Sequence, residues 1–315
     1  MKKVYFHIGV PKTGSQMLIN ILGDNQRELL DNKILWTDNL YGPLVDLRKR
    51  GTSEGLSEKF KPIKDVISRI NCDKIVAVCE GLSGDIDSKD IHAHRQNLFT
   101  SIVDLFSDFE IHFTLTIRRQ DQWIESVYNQ HIKEGGVDDF PCWFEKFDGE
   151  YCYWSKLIEM IKAFNIPFDV VPMELLNYSF ENYVEQYMSA IGSPIKVSMN
   201  DEIRNPGIAP DMLDVMRLFS SKTNNQKAID ALRLHLTGTS PKKPFDSFGL
   251  LTSTQRLEVI KKYKDDNNKL FDMTLKRYPM YREIYTTDNN FMNGQVNELK
   301  YQCILFQKYL ELEGK

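Results

Sequence analysis

The sequence predicts an α/β fold: a central, mostly parallel β-sheet flanked by helices, followed by a helical C-terminal third. Short apolar runs alternate with helix-period segments through the first half of the chain, the pattern of strands returned by helical crossovers. Beyond Asn205 the strand-like runs stop, and helical segments follow at Asp211–Ser220, Asn225–Leu236, Ser253–Lys276 and Val296–Leu312. The 315 residues, 42% apolar and 11% aromatic, are ample for a packed core. They read as one domain, 1–315, with an α/β core over 1–200 and a mostly helical part over 201–315.

In chain order, Val4–Gly9 is the first strand, Ser15–Leu22 begins the first helix, and Ile34–Trp36 is a short strand. The stretch Asn39–Pro62, rich in Gly, Ser and charge, reads as a long loop. Loops of that length are uncommon without a function, so it is a candidate acceptor-binding region. Lys74–Cys79 is a buried strand running into Glu80-Gly81-Leu82-Ser83-Gly84, and a helix over Ala93–Phe106 leads to the strand Glu110–Ile117. Asp121 is suited to cap the next helix, whose Trp123, Ile124, Val127, Tyr128 and His131 share one face. A helix at Tyr151–Phe164, a strand at Phe168–Pro172 and a helix at Phe180–Ile191 complete the α/β part. In the last helix Val296, Leu299, Cys303, Phe306 and Leu310 form an apolar stripe, read as core packing with a homodimer contact as the alternative.

Charge and cysteine content exclude several classes. A net charge of −4 argues against a general nucleic-acid binder, which would show a basic face. Any anion site must therefore be made by a few placed cations. No run approaches the roughly 18 apolar residues of a membrane helix, and the N-terminus enters a strand without a signal-type apolar region. The expectation is a cytoplasmic protein. Cys72, Cys79, Cys142, Cys152 and Cys303 are odd in number and form no C-x-x-C pair, so they read as buried free thiols, with no metal site.

The densest chemistry lies at the first strand's end. There the tight loop Val10-Pro11-Lys12-Thr13-Gly14-Ser15 feeds a helix. Strand, short loop and helix present free backbone N–H groups and a positive helix end to an anion. The order of residues departs from the Walker loop, whose lysine follows its second glycine, because here Lys12 precedes Gly14. The second loaded strand ends beside Glu80, and the third delivers Arg118 and Arg119. In open α/β sheets ligands lie outside the carboxyl ends of the strands, so these groups can share one crevice. Two adjacent arginines leaving a strand point in opposite directions, so only one should face that crevice. His7, inside the first strand, reads as a core histidine, and His92 and His94 as solvated surface. Trp36, Tyr41 and Trp143 could line an acceptor groove or belong to the core.

The loop Pro11-Lys12-Thr13-Gly14-Ser15 resembles the 5′-phosphosulfate loop of sulfotransferases that use 3′-phosphoadenosine-5′-phosphosulfate (PAPS). The stretch Thr116 to Tyr128 resembles their 3′-phosphate motif, in which a strand-terminal arginine precedes a serine by eight residues, as Arg118 precedes Ser126. Glu80-Gly81-Leu82, Arg118-Arg119-Gln120, Ser126-Val127-Tyr128-Asn129-Gln130 and Asn205-Pro206-Gly207-Ile208-Ala209-Pro210 are similar to a bacterial, carbohydrate-type branch. The likeness covers the N-terminal half well and is only suggestive at Phe248–Asn267. Two positions depart from it: Gln16 where many such loops carry a second Thr or Ser, and Arg119-Gln120 where many carry Asn-Pro.

The resemblance implies a P-loop-like sheet, and sulfuryl transfer from PAPS to a hydroxyl, on a small-molecule or glycan acceptor, leaving 3′,5′-ADP (PAP). It implies Lys12 at the leaving phosphate oxygen and the 5′-phosphate held by Thr13, Gly14, Ser15 and Gln16. It also implies Arg118 and Ser126 on the 3′-phosphate, with no metal. Glu80 is the expected base, with His131 or an acid within Asp38–Glu58 next in line. Two other readings stand beside it: a P-loop kinase or NTPase, and a non-catalytic nucleotide-binding module.

Overall fold

The computed structural model describes residues 1–177, 179–197, 208, 210–223, 225–239, 249–278 and 281–282. Two compact units divide the chain, Met1–Leu250 and Leu251–Lys315.

The first unit is built on β1 (Lys3–His7), β2 (Ile34–Trp36), β3 (Lys74–Val78), β4 (Glu110–Ile117) and β5 (Phe168–Pro172). They form one sheet in the order β2-β3-β1-β4-β5, and every neighbouring pair is parallel. With the loop and helix that follow β1, this is the P-loop-like α/β arrangement expected. Consecutive residues of the central strands are buried, Val4 to His7, Ile75 to Val78 and Phe113 to Ile117. Both faces of the sheet are therefore covered, as continuous apolar runs in parallel strands require. Register fixes where the strands end: His7 lies opposite Val78 on one side and Thr114 on the other. The segments leaving β1, β3 and β4 thus emerge on one edge.

Helices return the chain between strands: α1 (Ser15–Asp24), α2 (Gln26–Asp31), α3 (Tyr41–Arg50), α4 (Ser57–Arg69), α5 (Ile91–Leu105), α6 (Gln120–Lys133), α7 (Phe140–Lys146), α8 (Trp154–Ala163) and α9 (Phe180–Ala190). They are followed by α10 (Pro210–Ser220) and α11 (Gln226–Thr239). The second unit contains α12 (Ser253–Lys262), opened by a Thr252–Gln255 capping box, α13 (Lys264–Leu270) and a π-helical turn at Phe271–Leu275.

All five expected strands are present, and Glu110–Ile117 and Phe168–Pro172 match to the residue. Several expectations need correction. Asn39–Pro62 is not a loop: it contains α3 and the start of α4. Leu40, Leu44 and Leu47 are fully buried at helical spacing, as are Leu56 and Phe60, and that burial outweighs the local Gly and Pro signals. Pro43 falls in the first turn of α3, where its missing N–H costs nothing, and Gly51 ends the helix at φ 67°. Asp121 does not cap α6. Arg119 holds the N-cap position, and Asp121 sits in the first turn as its ion-pair partner.

The helix expected over Tyr151–Phe164 is a short 3-10 turn, Glu150–Cys152, followed by α8. Ser253–Lys276 is broken at Tyr263 rather than continuous. Cys72, Cys79 and Cys152 are buried free thiols, whereas Cys142 is exposed on α7. Val296–Leu312, Cys303 and most of Asn205–Pro210 lie outside the described residues. Among the described residues no helix is long and apolar enough to cross a membrane.

Candidate active site

The loop after β1 is tied to both neighbouring strands. Ile8 and Val10 donate their N–H groups to the carbonyls of Thr114 and Thr116 on β4, at 3.0 and 3.2 Å. On the other side Cys79 N–H bonds to the His7 carbonyl at 3.1 Å, and Ser83 N–H to that of Ile8 at 3.1 Å. The Ser83 hydroxyl donates to the Gly9 carbonyl at 2.6 Å, and Trp123 Nε1 of α6 to the Pro11 carbonyl at 2.6 Å. Every route into the loop is pinned before it turns.

Within it the backbone is strained. Lys12 has φ 67°, a left-handed value costing roughly 1–2 kcal/mol in a residue with a Cβ. Gly14, at φ 87°, is the N-cap of α1, and no side chain caps that helix. Its first-turn N–H groups are left to another acceptor, and an anion is the natural one. Gly9 is required by close approach: a Cβ there would come within 2.9 Å of His7 Nε2 and 3.0 Å of Ser15 Oγ. Gly9→Ala should therefore destabilise the fold by about 1–3 kcal/mol, measured by denaturant unfolding.

The two hydroxyls of the loop face inward, contrary to the role expected for them. Thr13 Oγ1 bonds to the Val10 carbonyl and to Thr116 Oγ1, and Thr13 is fully buried. Ser15 Oγ lies 3.3 Å from His7 Nε2 and is equally enclosed. His7 is a core histidine, as expected, and burial pushes its pKa down to about 3, so it is neutral. These hydroxyls are engaged inside the protein and hold the loop's shape. Gln16 is exposed and turns along the helix to Asn20 Oδ1 at 3.4 Å.

Glu80 and Arg118 both stand within electrostatic reach of Lys12. Burial holds the Lys12 ammonium below the ordinary lysine value, Glu80 and Glu134 pull it up, and Arg118 pushes it down. Lys12 Nζ donates to Gln130 Oε1 at 3.0 Å, which in turn bonds through Nε2 to Glu134. Glu80 is half-buried directly beyond β3. The two arginines do diverge. Arg119 makes a two-point ion pair with the buried Asp121 (Nε–Oδ1 2.6 Å, Nη2–Oδ2 2.8 Å), and its N–H meets Glu174. Arg118 is the one whose charge is felt at Lys12.

Ser126, nearly buried on α6, lies one helical turn before Gln130 and so shares its face. A turn further along, Lys133 is buried and pushed down to about 8, first by burial and then by the charges of Lys12 and Arg233. Sequence reasoning did not single out Gln130 and Lys133 as neighbours of Lys12. Their spacing from Ser126, which puts all three on one side of α6, was the available signal.

Other candidates fall elsewhere. His131 packs against Gly136, whose added Cβ would come within 2.3 Å of its Nε2, and near the Tyr128 and Trp143 rings. His92 and His94 are half-buried on α5 rather than solvated: His92 meets Glu150 at 3.5 Å, and His94 lies against Gly51. Trp143 stacks on Phe147, while Tyr41 is 44% exposed. Trp36 lines a separate cleft with Thr37, Asp38 and Ile63, which contains neither Lys12, Glu80 nor Arg118. Among the described residues no group of three or more His, Cys, Asp or Glu could hold a metal.

No protein-family model matches the chain, and no curated protein matches it. Among solved structures, a sulfotransferase from Alicyclobacillus acidocaldarius is similar at 11% identity and a TM-score of 0.42, over 75% of this chain and 96% of its own.

Proposed function

We propose that this protein is a sulfotransferase that moves the sulfuryl group of PAPS onto an acceptor hydroxyl, on a carbohydrate of the bacterial cell. The observation that carries the reading is Lys12, held left-handed at an uncapped helix N-terminus, within reach of Glu80 and Arg118. A cation with backbone donors, a second cation from the next strand and a carboxylate are the parts such a transfer needs. A 5′-phosphate fits the N-terminus of α1, and a 3′-phosphate fits Arg118 with Ser126.

The acceptor oxygen forms its bond to sulfur as the bond from sulfur to the 5′-phosphate oxygen breaks. The electron pair stays on that phosphate oxygen beside Lys12, and the acceptor proton goes to Glu80. As in phosphoryl transfer, positioning and charge stabilisation carry the rate. Gln130 orients the Lys12 ammonium between the acceptor and the donor phosphate. A P-loop kinase reading fits less well, because Lys12 stands on the wrong side of Gly14 for a Walker loop.

The test of the base is Glu80→Gln, which should lower kcat by about 10²–10⁴-fold while PAP affinity stays within twofold, read by label transfer and calorimetry. Unchanged turnover removes Glu80 from the chemistry. Lys133 supplies a pH signature. An anion stabilises the protonated ammonium, so PAP affinity should be full below pH 8 and fall as pH rises through its value of about 8. Lys133→Met should flatten that part of the profile, measured by calorimetry from pH 7 to 9.5.

A further inference from the structure

Arg48 is a charged group the reaction above does not use. It comes from the last turn of α3, and its side chain lies against Gly81, where an added Cβ would meet its Cδ and Nη1 at 2.8 Å. Its Nη1 reaches the Glu80 carbonyl at a long 3.4 Å. Among the described residues no carboxylate stands within ion-pair distance of it, although it is half-buried. The α3 helix end that carries it is packed against α5, since the His94 ring lies against Gly51. The Tyr41 phenol stands in the same electrostatic neighbourhood, acted on by Glu80 and Arg48 and partly open to solvent.

Sheet order says which substrate this cation serves. Arg118 leaves β4, Lys12 leaves β1 and Glu80 leaves β3, so across the edge of the sheet they run in the order β4, β1, β3. Donor cations occupy the β4 and β1 side. Arg48 adjoins the loop after β3, at the Glu80 carbonyl and Gly81, on the β3 side of that order and so on the side left for the acceptor. A guanidinium without a counter-ion in that place favours a negative group, and its planar fork suits a carboxylate best.

Resting on the sulfotransferase reading, we infer that the acceptor is itself an anion, a hydroxyl compound whose carboxylate is bound by Arg48 while its hydroxyl meets Glu80. The alternative duty for Arg48 is to act on Glu80 alone, which would affect every acceptor equally.

The experiment compares wild type with Arg48→Gln on a matched pair, p-nitrophenyl glucuronide and p-nitrophenyl glucoside, with labelled PAPS as donor. PAP affinity and the thermal midpoint are measured in both proteins. Wild type should sulfate the glucuronide with a kcat/KM about tenfold or more above the glucoside, and Arg48→Gln should bring that ratio near one, mainly through KM. A ratio near one in wild type, a ratio preserved in Arg48→Gln, or PAP binding with transfer to neither compound overturns the inference. An equal loss of kcat on both compounds assigns Arg48 to Glu80 and overturns it as well. Failure of wild type to bind PAP is a different result: it removes the sulfotransferase reading, and this inference falls with it.

Discussion

Lys12→Ala is expected to lower sulfuryl transfer by about 10²–10³-fold or more, with the protein still folded and melting at the same temperature or higher. Two physical facts separate the effects. Burial disfavours the Lys12 ammonium more than Glu80 and Glu134 favour it, with Arg118 adding to the burial effect, and this offsets the loss of its bond to Gln130 when the side chain is removed. Alanine at φ 67° carries a strain similar to that of lysine, so the backbone gains or loses little. On the proposed mechanism, the transfer loses the positive charge assigned to the leaving phosphate oxygen. Single-turnover transfer and a thermal melt on the same preparation check both halves. A variant that unfolds early would mean that Lys12 is a structural residue, and one that turns over normally would remove its proposed role.

The adjacent arginines should part in the same way. Arg118→Ala is expected to weaken PAP by about 10- to 100-fold while leaving 5′-AMP affinity nearly unchanged, because only PAP carries the 3′-phosphate. Arg119→Ala is expected to act on stability instead. It strips the two-point ion pair from Asp121, which is fully buried, and breaking a buried pair by removing one member costs about 3–5 kcal/mol. Calorimetry with PAP and 5′-AMP, beside denaturant unfolding, distinguishes the pair. If Arg119→Ala loses PAP affinity at unchanged stability, the assignment of the two arginines is reversed.

The sheet was legible in the sequence because its strands are short, apolar and bounded by charge, so periodicity and burial agree. Asn39–Pro62 was not, because Leu40, Leu44, Leu47, Leu56 and Phe60 are spread among glycine, proline and charged residues that mask the helical period. The same misreading hid Arg48, which reaches Glu80 only because α3 is a helix of fixed length. The nearness of Lys12 to Glu80 and Arg118 was legible because each lies in the segment that leaves a strand, and parallel register brings those segments to one edge of the sheet. The inward turn of Thr13 and Ser15 was not. Whether a hydroxyl faces a ligand or the core depends on neighbours such as His7 and Thr116 that are distant in sequence or hidden by the sheet. Gln130 and Lys133 needed the fold to bring them near Lys12, more than a hundred residues away, the first by a hydrogen bond and the second by charge.

The most direct test of the sulfotransferase reading is a calorimetric titration of the wild-type protein with PAP, 5′-AMP and magnesium ATP under one buffer condition. PAP should bind about tenfold or more tightly than either competitor, since only it presents both phosphates to the α1 N-terminus and to Arg118. Tighter binding of magnesium ATP, or no discrimination between PAP and 5′-AMP, would contradict it.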